Sequence, residues 1–309
     1  TEVAKISTAR LRGRDILAPL IPPLVMAAQA SLTTLGSLRP EWERVGDGVI
    51  ASPFVALLGI TAFFFMLNRT SAVLLRAVGF SKNETRLNEL ASCVGSVIHC
   101  TTVVLMTHEE LRTRGWSVFG ALGDGFDLSG ENSPTGTAAI LWCTGYMVAD
   151  TIYMLIWARH ETLFLLHHTA TLLYMLSCLA VGRGDLSTCL CIYLGEVTNP
   201  INNSYAISNV LHSEGLISAR PNFAAACALA SSFVFVRILY APIGVCWVIF
   251  VHLFLRPGGA AIPILVRLLW AALPLMVTHA SFTFLLSLIG DIRRGVTTTV
   301  GKAKLEKSK

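Results

Sequence analysis

The sequence predicts an all-α, polytopic transmembrane helix bundle of seven or eight spans. Three observations predict it. Of 309 residues, 53% are hydrophobic and only 14% charged, where a soluble domain carries roughly 25% charged residues; mean hydropathy is +0.62. Apolar stretches about twenty residues long recur along the chain, the length a helix needs to cross a bilayer. Basic residues gather in the connections and tails, as membrane topology requires. The net charge of +5 comes without a dense basic stripe interleaved with aromatics, so nucleic acid is not an expected partner.

Three regions follow: a basic N-terminal segment with a first span (1–48), a transmembrane domain (49–290) and a basic tail (291–309). Residues 16–38 are uncharged and read as that first span, although Pro19, Pro22 and Pro23 weaken a helix start; a re-entrant or interfacial segment is the alternative. The first apolar stretch lacks a clean small-residue cleavage pattern, so no cleavable signal peptide is expected. Further spans are expected at 49–67, 87–106, 137–157, 161–182, 186–208, 222–255 and 262–289. Pro242 predicts a kink in the sixth of these. Residues 68–86 read as a basic link, and 107–135, with Gly120, Gly123, Gly125 and Gly130, as the longest polar loop. With eight spans, one side carries 16 of the 24 Lys and Arg residues. That side is expected to be cytoplasmic and to hold the C-terminus. The sequons at Asn68 and Asn83 fall on it and are expected to lack glycan. The eight cysteines all lie in apolar stretches and read as small buried hydrophobes, not as disulfides or a zinc site.

Ionisable residues interrupt several spans. A charge at a helix centre costs about 2.5–3.5 kcal/mol on insertion, so such groups face a protein interior or a wet cavity. His99, Asp150, the adjacent His167 and His168, Glu196 and Arg237 are of this kind. Tyr146 and Asp150 share a helix face, as do Glu196, Asn199 and Asn203. Ser92, Ser96 and His99 form another stripe, and His167, Thr171 and Tyr174 a fourth. Four helices therefore present polar stripes, and a fifth brings Arg237, that could converge on one hollow. Asp150 and Glu196 would find partners in His167 or His168 and in Arg237. Pro200 would free backbone carbonyls at mid-span, which is tolerated where they line a cavity.

A histidine beside a carboxylate is held in one tautomer and can serve as base or nucleophile. Acyl transfer to an amine or alcohol needs that base and donors for a developing oxyanion, and Asn199, Asn203 or Tyr146 could donate. No G-x-S-x-G elbow and no clear serine nucleophile is present. No metal is expected: no helix carries a His-x3-His pair, and His167 and His168 point about 100° apart. No bound cofactor is expected either. His252 and His279, each alone on an apolar helix, read as satisfied core groups.

The ordered motifs "SVIHC" around His99, "GYMVAD" ending at Asp150, "LFLLHHTAT", "GEVTNPINN" and "FVRILYAP" resemble the TLC-domain family, which includes ceramide synthases, translocating-chain-associated proteins and lipid-homeostasis proteins. The resemblance spans about 50–290. It implies a bundle around a lipid-accommodating cavity with the paired histidines at its polar end. It also implies membrane lipids as partners and an endoplasmic-reticulum location. Carried over from the ceramide synthase branch, His167 and His168 are the catalytic candidates, with Asp150 orienting them. His99, Tyr146, Glu196, Asn199, Asn203 and Arg237 are the expected substrate-binding residues. That branch carries a His-Asp motif after the paired histidines; this chain has Gly195-Glu196-Val197-Thr198-Asn199-Pro200 instead. Two function classes stay open: acyl-CoA-dependent transfer of an acyl group to a lipid, with acyl-CoA as co-substrate, and non-catalytic lipid binding, sensing or trafficking.

Overall fold

The computed structural model describes residues 53–80, 83–116, 126–157 and 162–307. The expected first span at 16–38 lies outside the described residues. The rest is an all-α transmembrane bundle, and no strand occurs among the described residues. Its helices are α1 (Pro53–Ala77), α2 (Glu84–Thr113), α3 (Pro134–Trp157), α4 (Thr162–Val181), α5 (Asp185–Glu196), α6 (Asn199–Ser213), α7 (Ala219–Leu255) and α8 (Ile264–Lys307). Six of these, α1 to α4, α7 and α8, are long and apolar enough to cross a membrane.

The span expected at 186–208 is a broken one. Its halves, α5 and α6, hold 12 and 15 residues. At about 1.5 Å per residue neither reaches across a ~30 Å hydrocarbon layer alone. Together they run antiparallel to α2: Asp185 receives a hydrogen bond from Ser133 N beside Glu110, Asn203 meets Ser96, and Glu214 pairs with Arg86. The pair thus covers the depth α2 covers. Pro200 causes the break, because it has no N–H to give and its ring collides with the preceding turn; it sits in the first turn of α6.

Two boundaries differ from the sequence reading. The basic link at 68–86 is helical to Ala77, so Asn68 lies inside α1, fully buried. A true start signal follows: Asn83 caps α2, accepting from Thr85 N at 3.0 Å and Arg86 N at 3.2 Å. In α7, Pro242 opens one of three π-helical stretches, Phe233–Tyr240, Pro242–Trp247 and Val251–Leu255. Such widened turns re-aim side chains and recur at functional sites.

Apolar side chains such as Phe54, Met66, Phe235, Ile243 and Leu265 stand exposed on the outside, where lipid would meet them. Polar groups are buried inside: His99, Thr144, Asp150, His168, Glu196, Asn203 and Arg237. One end of the bundle is pinned. The Trp270 ring stacks on Tyr174 at 5.1 Å, and its indole N–H donates to Ser177 Oγ at 2.8 Å. Gly184, at φ +88°, leaves the space this ring fills.

Candidate functional site

The expected convergence occurs. A cavity of about 420 Å³ is lined by Tyr146 and Asp150 from α3, His167 and His168 from α4, Glu196 from α5, Asn199 and Asn203 from α6, and Arg237 from α7. A narrower cavity of about 90 Å³ continues from it. His167, Glu196, Arg237, Val277 and Ser281 line both and form the junction. The wide arm holds most of the polar groups, between apolar walls such as Met147, Met154, Phe164, Phe233 and Phe284. The narrow arm is walled by groups such as Ala170, Met175, Leu194, Val245 and Leu273.

The two adjacent histidines have different surroundings. His168 Nε2 faces Asp150 Oδ2 at 3.8 Å, and its Nδ1 lies 3.1 Å from Thr151 Oγ1. Asp150 also accepts from Ser92 Oγ at 3.0 Å. His168 is therefore engaged on both sides of its ring. The His167 ring makes no hydrogen bond among the described residues and stands at the junction, its centroid 5.9 Å from that of His168. The helical offset between neighbours, about 100°, produces this division.

A second histidine–carboxylate pair lies behind the first. His99 Nε2 is 3.7 Å from Glu196 Oε2, and the same oxygen accepts from Asn199 Nδ2 at 2.6 Å. His99 is fully buried, stacked on Tyr146 at 3.8 Å and 7°, and borders neither arm. Tyr146 shields it from the hollow. Asn203 Nδ2 donates to Ser96 Oγ at 3.0 Å, tying α6 to α2.

Arg237 takes a partner the sequence did not foretell. Its guanidinium donates to the Gly195 carbonyl, freed where α5 ends, and to Thr198 Oγ1 at 3.2 Å. It rests over the Phe233 ring at 5.3 Å. The cation thereby satisfies the backbone of the break while its edge borders both arms. Thr151 and Thr198 were missed as site residues. Each adjoins a flagged position or the proline break, and neither carries a charge to mark it.

Among the described residues, no group of three or more His, Cys, Asp and Glu side chains is placed to hold a metal ion. The residues present can do proton transfer and polar recognition, with a larger chamber holding the polar groups on one side and an apolar slot on the other.

The sequence profile of the TLC domain matches residues 89–289. No curated protein and no solved structure matches the chain.

Proposed function

Because the chain belongs to the TLC-domain family, we propose that this multi-pass membrane protein acts on membrane lipids by acyl-CoA-dependent transfer of a fatty acyl group to a lipid amine or hydroxyl. The observation that carries this reading is the junction. His167, whose ring makes no hydrogen bond among the described residues, borders at once the chamber that holds the polar groups and an apolar slot. A thioester carbonyl at that point would have its chain in the slot and its leaving group in the chamber.

The chemistry balances with these residues alone. The acceptor nitrogen or oxygen attacks the thioester carbonyl, its proton passes to His167, the C–S bond breaks, and the proton goes on to the departing thiolate. His168, facing Asp150 at 3.8 Å and Thr151 at 3.1 Å, holds the polar wall of the chamber beside His167. Arg237 and Asn199 supply donors for the oxyanion. Membrane lipid homeostasis in the endoplasmic reticulum is the setting this family membership supports. The test is purified protein with labelled acyl-CoA and lipid acceptors. Acylated lipid that His167→Ala and His168→Ala abolish is expected; no product above those variants overturns the reading.

A second reading is a lipid-binding protein without turnover. It is favoured by the Gly195–Pro200 run, which stands where the ceramide synthase branch carries a further His-Asp motif. Co-purified lipid identified by mass spectrometry, with no acylation, would select it.

A further inference from the structure

The wide arm runs along α6 from Asn199 to Val210. Most of the amides that line it are already engaged. Asn199 donates to Glu196 at 2.6 Å and Asn203 to Ser96 at 3.0 Å. Asn88, from α2, donates to the Glu84 carbonyl at 2.8 Å and accepts from the Tyr153 hydroxyl at 2.9 Å. Asn202 and Asn209 differ. Both line the arm, yet neither carboxamide makes a hydrogen bond among the described residues. Asn202 is half-buried and Asn209 exposed. Two turns of α6 separate them, so they share one face and stand roughly 10.5 Å apart along the axis. Ala206 lies between them on the same lining and leaves a gap. On other walls Phe233 and Phe284, packed together at 5.1 Å, offer ring surface.

We propose that Asn202 and Asn209 form a cradle for an uncharged, ring-sized polyol of the hexose type, carried as the headgroup of a lipid. The inference rests on the lipid-acting reading of the hollow for the lipid itself, and adds which headgroup it takes. Hydrogen-bonding character gives the chemistry. A carboxamide offers an acceptor and two donors at one end, and a hydroxyl likewise gives and takes. A phosphate only accepts and an ammonium only donates. Arg237 is the sole Arg or Lys among the described residues lining the arm, and it is engaged by Gly195 and Thr198. A phosphate would therefore meet no free cation there. Asp150 and Glu196 each accept a hydrogen bond already and face an imidazole, so neither stands open for an ammonium. Spacing gives the size. A six-membered ring with a hydroxyl on each side, extended by roughly 2.8 Å of hydrogen bond at either end, reaches from one carboxamide to the other across Ala206. The phenylalanine rings suit the C–H faces of such a ring, the apolar part of a mostly hydroxylated ligand. The inner amide, Asn202, lies one turn from Asn199, which holds Glu196, so the inner edge of the headgroup lies close to the junction. The outer amide, Asn209, lies toward the end of the bundle where α2 begins and Glu214 pairs with Arg86.

The experiment uses the full chain, purified in a detergent without a sugar head and placed in phosphatidylcholine nanodiscs. Binding of a fluorescent glucosyl diacylglycerol is measured and competed by unlabelled lipids with matched chains. Unlabelled glucosyl diacylglycerol should displace the probe; diacylglycerol, phosphatidic acid and a long-chain alkylamine at equal concentration should not. Asn202→Leu and Asn209→Leu should each weaken probe binding by about tenfold, the size of one lost hydrogen bond. No binding of the probe, equal displacement by phosphatidic acid or the alkylamine, or wild-type affinity in both variants overturns the proposal. Asn209 is exposed, so its variant decides should Asn202→Leu fail to fold. Displacement by free glucose at equal concentration keeps the ring chemistry and overturns the lipid as its carrier. Headgroup-selective binding without acyl transfer upholds the cradle and sinks the transfer reading; transfer that shows no headgroup preference and that neither variant alters does the reverse.

Discussion

Asp150 Oδ2 stands 3.8 Å from His168 Nε2, with both side chains buried between α3 and α4. The carboxylate also accepts from Ser92 Oγ at 3.0 Å, which favours the orientation facing the imidazole. Asp150→Asn keeps the shape and removes the charge. On the proposed acyl-transfer reading, turnover of acyl-CoA should fall by about 100-fold or more, the range general acid–base effects occupy. KM should stay near its wild-type value, and product formation in reconstituted vesicles measures both.

Arg237 holds the break between α5 and α6 through Gly195 and Thr198. Arg237→Met leaves a mid-membrane carbonyl without its donor. A lost hydrogen bond to a charged group costs about 1.5–3 kcal/mol, and the midpoint of thermal unfolding in detergent should drop accordingly. Arg237→Lys should not restore it, because an ammonium cannot span both acceptors as the planar fork does. A lysine variant as stable as wild type would contradict the clamp.

Gly184 combines two constraints. Its φ is +88°, and an added Cβ would enter the Trp270 ring. Left-handed backbone costs other residues about 1–2 kcal/mol, and overpacking about 1–3 kcal/mol more. Gly184→Ala should therefore lower stability by about 2–5 kcal/mol in denaturant unfolding. Gly182→Ala, with φ +70° but open space at its Cβ, should lose only the backbone share.

Asn68 begins an Asn-Arg-Thr sequon, yet it is wholly buried against Gly95 within the α1–α2 contact. Endoglycosidase treatment of the protein made in eukaryotic cells should leave the mass at this site unchanged. A glycopeptide carrying Asn68 would mean that α1 packs differently.

Asp127 lies outside the spans, in the turn that precedes α3. Burial opposes its ionisation. The Ser129 hydroxyl and amide, which it accepts at 2.7 and 2.9 Å, outweigh that effect, helped by His252 and Arg183, and hold its carboxyl below the ordinary value. A lowered folded value means the stabilisation is complete above the unfolded pKa of roughly 3.9 and fades as pH falls through the folded one. Hydrogen exchange at Ser129, corrected for intrinsic rate, should accelerate on acidification below about pH 4. Asp127→Asn should remove that step.

The bundle was legible because apolar length is a one-dimensional signal, and the six unbroken spans announce themselves by it. The hollow was legible because Tyr146 and Asp150, or Glu196, Asn199 and Asn203, sit at helical spacing. What the sequence left open needed the third dimension. It paired Glu196 with Arg237 or the adjacent histidines; Arg237 does border the same hollow, and the fold adds His99, on a helix nearly a hundred positions earlier. It could not say which histidine of the pair was free, since a 100° offset has meaning only once α3 is in place. It read 68–86 as a link, because Arg69, Lys82 and Arg86 look solvated while the buried Asn68 has no signature at all.

The interruption at Val197–Thr198 has an electrostatic consequence. The carbonyl end of α5, capped by Arg237, and the amide end of α6 meet beside the hollow, so a local backbone dipole and a fixed cation border it. Acid or base can neutralise an imidazole or a carboxyl, but not these. Whatever the protonation of its side chains, the hollow keeps a permanent polarity, and a polar headgroup arriving there meets a field already in place.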